Sequence, residues 1–105
     1  MNGNDSTGVR IYRYSKLMML NVINDLVELQ KGEVTFHDIS KGQIYFTVEM
    51  YGFIWENRFT VEAASEGQSR ITLCIKGSSL NDANKVAGQF ALLDALLVSF
   101  LRGEP

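Results

Sequence analysis

Cysteine, proline and histidine each occur once in this 105-residue chain. Cys74 cannot pair within the chain, which excludes a disulfide-framed fold. A Ser-His-Asp or Cys-His arrangement would have to use His37. Alternation places His37 and Cys74 on the solvent face of the first and last strands of a meander, roughly 14 Å apart at ~4.7 Å per strand, too far to share a proton. Zinc needs three or four Cys, His or carboxylate ligands, and no spacing here supplies them. The P-loop and the dinucleotide glycine fingerprint are missing as well. The nine glycines stand singly in turns and caps, apart from Gly88. No catalytic residue, metal or cofactor is therefore expected.

Charge of one sign is also lacking. Ten Lys and Arg face twelve Asp and Glu, a net charge of -2, so no basic face is expected and no nucleic-acid partner. The one basic and aromatic cluster is Arg10, Tyr12, Arg13, Tyr14 and Lys16, read as the solvated start of the first element. The most apolar stretch, residues 90–101, is broken by Asp94 and Ser99 and is shorter than the ~20 residues of a membrane span. Residues 1–8 have no apolar centre, so they predict a disordered polar tail rather than a secretory signal. A lone cysteine and four methionines suit the cytoplasm.

What is present is a core. Hydrophobic residues make up 46 % of the chain, enough for one globular domain over residues 9–105. Residues 9–14 are β-prone and predict a short edge strand or an extended lead-in. Ser15 is a fitting N-cap for a helix over residues 16–30. Met18, Met19, Leu20, Val22, Ile23, Leu26, Val27 and Leu29 share one side of that helix, with Leu17 as a misfit. Gly32 is placed to end it with a left-handed cap.

The period then changes from 3.6 to 2. Val34 and Phe36 alternate with Glu33, Thr35 and His37. Ile44, Phe46, Val48 and Met50 follow on one face of a second strand. A third carries Phe53, Trp55, Phe59, Val61 and Ala63, and a fourth Ile71, Leu73 and Ile75. A two-residue Tyr51-Gly52 turn pairs Val48 with Trp55, Phe46 with Asn57, Ile44 with Phe59 and Tyr45 with Arg58. A slip of one residue would destroy the apolar face, so this register is well specified. A last helix is predicted from Leu80 to about Arg102, capped by Ser79, with Leu80, Ala83, Val86, Ala87, Phe90, Leu93, Leu97 and Leu101 as its core stripe.

Two helices with apolar faces and a sheet with one apolar face predict an α+β fold. It is a two-layer sandwich, a four-stranded antiparallel meander with the N-terminal and the long C-terminal helix on one side. In topology alone this resembles the helix-grip arrangement, which often holds apolar ligands.

Two features break the pattern. Asp94 falls near the middle of the last helix's stripe, and Asn57 lies on the apolar sheet face between Phe46 and Ile75. A buried carboxylate must find a partner or protonate, so the two could meet as a buried structural hydrogen-bonded pair, or line a small apolar-ligand pocket with Trp55 and Phe59. The second feature is the back of the same helix, where Leu92, Leu96 and Phe100 leave the helix apolar nearly all round. A second copy of the chain or a protein partner would cover them. The leading expectation is thus a non-catalytic domain that forms a homodimer, or docks a partner, through this helix. A small apolar-ligand binder is the alternative.

Overall fold

The computed structural model describes residues 6–50, 52–76 and 82–102. The chain is α+β, with five strands and two helices in the order β1 (Ser6–Tyr12), α1 (Lys16–Leu29), β2 (Glu33–Asp38), β3 (Gln43–Met50), β4 (Phe53–Ala63), β5 (Ser69–Lys76) and α2 (Asp82–Arg102). The strands form one antiparallel sheet in the order β1-β5-β4-β3-β2. Both helices pack on the same face, α1 over β3 and β4, α2 over β5 and β1.

The meander has the register that alternation predicts. Val48 lies opposite Trp55, Phe46 opposite Asn57, Ile44 opposite Phe59 and Tyr45 opposite Arg58. Ile44, Phe46, Val48, Trp55, Phe59, Val61, Ile71, Leu73 and Ile75 are buried against the helices. The side chains between them on each strand point to the other face, which stays largely in solvent.

The sheet has five strands rather than four because β1 closes on β5, with Gly8 opposite Leu73 and Tyr12 opposite Ser69. Residues 6–8, read above as part of a tail, belong to this strand; residues 1–5 lie outside the described ones. Gly8 is what lets α2 settle over β1. A Cβ there would stand 2.6 Å from Val86 Cγ1 and 3.2 Å from Phe90 Cε2. The alternation of β1 is inverted: Val9 and Ile11 face outward and are exposed, while Gly8, Arg10 and Tyr12 face the helix layer. Arg10 lays its guanidinium over the Phe90 ring, 4.8 Å from the centroid.

The opposite edge departs from simple alternation. A bulge between Val34 and Phe36 turns Phe36 onto the outer face beside Tyr45, ring centroids 5.1 Å apart. It also sets His37 opposite Ile44, on the helix side, whereas Cys74 pairs with Arg58 on the outer side. The two residues therefore do not share a face.

Helix α1 starts as its sequence predicts, with Ser15 Oγ accepting from the Met18 amide. Its end differs in one detail. Gly32 N donates to Val27 O and Lys31 N to Glu28 O, a Schellman pattern. The left-handed position is therefore Lys31 (φ 55), not Gly32. Gly32 is needed for space, since a Cβ would lie 2.9 Å from Phe46 Cδ2. Lys31→Gly is accordingly expected to raise stability by about 0.5–1 kcal/mol, read as a higher urea midpoint with an unchanged slope.

In α2 the buried positions are Val86, Gln89, Phe90, Leu93 and Leu97. Ala87 and Leu101, expected in the stripe, are exposed. The side chain of Ala83, and Ser79 and Leu80 altogether, lie outside the described residues. Asn84–Leu101 is apolar and long enough by composition to cross a bilayer, with mean hydropathy 1.3. Here that segment carries Lys85 and Asp94 and lays its apolar stripe on the sheet.

Candidate functional site

Asp94 does not meet Asn57. At ~100° per residue, Asp94 stands about 80° from Val86 and Gln89 about 60° on the other side, and the helix turns Gln89 inward. The reason is β1. With a fifth strand beyond β5, α2 lies over the β1–β5 pair, and its Asp94 flank faces Tyr12. The Tyr12 hydroxyl donates to Asp94 Oδ1 at 2.7 Å, and Asp94 itself is exposed.

Burial, and then the hydrogen bond to the carboxylate, hold the Tyr12 pKa well above its ordinary 10.0. A raised folded-state pKa stabilises the fold in full below the ordinary tyrosine value and is lost as pH climbs through the folded one. Wild type is therefore expected to exceed Tyr12→Phe in stability by about 0.5–1.5 kcal/mol at neutral pH. The gap should shrink above pH ~10. Urea unfolding of both proteins between neutral pH and pH ~11 checks this.

Two other members of the basic cluster hold contacts to distant parts of the chain. Lys16 Nζ donates to Ser40 O at 3.0 Å, and the Tyr14 carbonyl accepts from Ser69 Oγ at 2.8 Å. On the outer face Arg58 Nε pairs with Glu56 Oε1 at 2.7 Å, and its guanidinium lies 5.0 Å from the Tyr45 centroid. The hydrogen bond that Arg58 donates to Glu56 raises the Arg58 pKa. Among the described residues no group of three or more His, Cys, Asp and Glu side chains is placed to hold a metal ion.

Asn57 is fully buried (0 % exposed) on β4, and its partner is Gln89 (2 % exposed), whose Nε2 donates to Asn57 Oδ1 at 3.0 Å. One bond cannot satisfy two amides, because each carries a carbonyl oxygen and two N–H groups. Asn57 Nδ2 and Gln89 Oε1 are left buried without a partner. A third such atom is Oε1 of Gln30, the residue that caps the C-terminus of α1. Leaving a buried polar atom unpaired costs about 1–3 kcal/mol, and native structures contain few.

These atoms are not scattered. Gln30 and Gln89 line one cleft of about 160 Å³ together with Trp55, Lys85, Gly88 and Leu92, and Asn57 lies directly behind Gln89. Three elements build it: the end of α1, the outer part of α2 and the start of β4. Trp55 is nearly buried and supplies the flat apolar wall. Lys85 Nζ stands over the indole, 4.7 Å from its centroid. Gly88 leaves the helix side open, with no atom within 4 Å of where its Cβ would be.

Of the sequence-predicted pocket residues, Trp55 lines this cleft and Asn57 lies behind its Gln89. Phe59 belongs to the core, stacked on Phe46 at 6.0 Å and edge-on to Phe90 at 6.4 Å. Asp94 sits on the β1 side. Among the predicted interface residues, Leu92 rims the cleft, Leu96 packs against the core and Phe100 is exposed. Gln30, Lys85, Gly88 and Gln89 are functional candidates that periodicity alone does not reveal. A larger hollow of about 300 Å³ lies by Lys31, Glu33, Thr47, Glu49 and Ile54. Its side chains are mostly exposed, and no unpaired buried atom among the described residues belongs to it.

The chain matches no protein-family model and no curated protein.

Proposed function

We propose that this domain binds a small molecule in the cleft between the end of α1, β4 and α2, without transforming it. One observation carries the reading: Gln30 and Gln89, each with a buried amide oxygen that has no partner, line a single concavity with an aromatic wall, and a third such atom, Asn57 Nδ2, lies behind Gln89. A protein of ordinary stability, about 5–15 kcal/mol, gives up a sizeable part of it to such atoms. A ligand that meets them recovers that loss and concentrates specificity in a few polar contacts on an apolar wall. A long helix laid across an antiparallel sheet, as in helix-grip folds, supports the same reading by analogy of topology. The lone Cys74 suits a reducing cytoplasm as the setting.

The test is native mass spectrometry of the protein purified from its host, compared with Gly88→Leu. Position 88 is exposed, and leucine is a better helix former than glycine, so the variant fills the cleft without disturbing the fold. Wild type is expected to carry a non-covalent small-molecule mass that the variant lacks. Identical bare masses for both proteins would count against the reading.

A second reading, self-association or partner docking through α2, is favoured by the exposure of Val98 (48 %), Phe100 (54 %) and Leu101 (56 %) at the end of the helix. Val98 and Leu101 are three residues apart and adjoin on the helix surface, and exposed apolar surface of this kind marks interaction sites. Sedimentation is expected to give a dimer mass for wild type and a monomer mass for Val98→Glu/Phe100→Glu. A monomer mass for both would remove the homodimer.

A further inference from the structure

Resting on the ligand-binding reading, we propose that the cleft takes a flat, single-ring molecule bearing a carboxamide or lactam group, laid against Trp55. The argument begins with the polar atoms. The unmet groups are two carbonyl oxygens on lining residues, Gln30 Oε1 and Gln89 Oε1, and one N–H donor directly behind Gln89, Asn57 Nδ2. Among the described residues no carboxylate lines the cleft, and the charged residue that does is Lys85. A ligand with only acceptors, such as a carboxylate, leaves both glutamine oxygens unmet. A ligand ammonium, which only donates, leaves Asn57 Nδ2 unmet. A hydrocarbon satisfies none of the three. An amide presents an N–H donor and a C=O acceptor side by side, and side-chain amides of Gln and Asn complement that edge in either orientation after a half-turn.

Size and shape narrow the ligand further. The cleft measures about 160 Å³, close to the ~150 Å³ of an engineered protein cavity that holds one benzene ring. Its one aromatic wall is the Trp55 indole, whose face is covered by the Lys85 ammonium. A ring that stacks there takes over that face as Lys85 turns outward, with the glutamine amides rotating toward the new partner. Gly88 and Leu92 form the opposite rim.

The test uses three one-ring probes, benzamide, benzoate and toluene, titrated into 15N-labelled protein. The observed signals are the Trp55 indole N–H and the side-chain amides of Gln30, Asn57 and Gln89. Benzamide is expected to shift these signals and to bind about tenfold more tightly than the other two, the equivalent of about 1.4 kcal/mol. Gln30→Met and Gln89→Met should each bring benzamide to within about twofold of toluene, and Gly88→Leu should abolish all three. Gln30 is only half-buried, so its variant remains informative even if Gln89→Met folds poorly. Equal binding of toluene or benzoate to wild type overturns the amide assignment and leaves the cleft as a ligand site. No shift with any probe, or shifts that survive Gly88→Leu, overturns the assignment and the ligand-binding reading together.

Discussion

Gly42→Ala is expected to lower the unfolding free energy by about 3 kcal/mol or more, the largest loss expected from adding a methyl group to any of the described glycines. Gly42 ends the β2–β3 turn at φ 68. Its N–H closes the turn on Ile39 O, and its carbonyl accepts from Val61 N at 2.7 Å. A Cβ would stand 2.1 Å from the Val61 carbonyl oxygen and 2.8 Å from Lys16 Cε. The lysine end can move, but the Val61 backbone lies within β4 and cannot. The turn must therefore open, adding the loss of the Val61–Gly42 bond to about 1 kcal/mol of left-handed strain. Gly67→Ala is the matched control: φ is 71, yet nothing lies within 4 Å of its Cβ position, so about 1 kcal/mol is expected. Urea midpoints of the two variants give the comparison, and equal losses would show that strain alone operates.

The second large effect is expected at the buried amide pair. Asn57→Leu removes the acceptor of Gln89 Nε2 and leaves the whole Gln89 side chain buried without a partner. A loss of about 2–4 kcal/mol follows from stranding a buried polar group in a packed core. Asn57→Leu/Gln89→Leu should recover most of that loss, because both polar groups are replaced by apolar ones of similar size. The double variant is then as stable as wild type, or more so, and fails to discriminate benzamide from toluene. That divergence separates a site kept for recognition from a contact kept for folding. Two single losses that simply add in the double variant would deny the coupling.

The sheet was legible because its alternation is strict from Ile44 to Ile75. One register keeps Phe46, Asn57 and Ile75 in a row, and every other register exposes the core. β1 was not legible in the same way. Its apolar Val9 and Ile11 face outward, while Gly8 turns toward Val86 and Phe90, so its pattern points the wrong way for an element that docks on the core. Counting four strands, with residues 9–14 left open between an edge strand and a lead-in, shifts the expected seat of α2 and with it the choice between Asp94 and Gln89. A chemical cue did exist. A fully buried asparagine needs both donors and acceptors around it, which an amide supplies and an ionised carboxylate does not. The bulge at β2 had no comparable cue, because Thr35 and Phe36 fit simple alternation until Phe36 finds the Tyr45 ring.

The joining of β1 to α2 has a further consequence for how the chain is made. Tyr12 and its hydrogen-bond partner Asp94 are 82 residues apart, and the strand that pairs with β1 is the last of the five. On the ribosome β1 emerges first and must wait, unpaired, through the synthesis of α1 and three strands. The meander consists of neighbours in sequence and can assemble early, whereas β1 and α2 close a long loop. During that interval β1 and the free edge of β4 are open to pairing with other chains. In the finished domain the same two segments should open as one unit, giving matched amide-exchange rates at opposite ends of the chain.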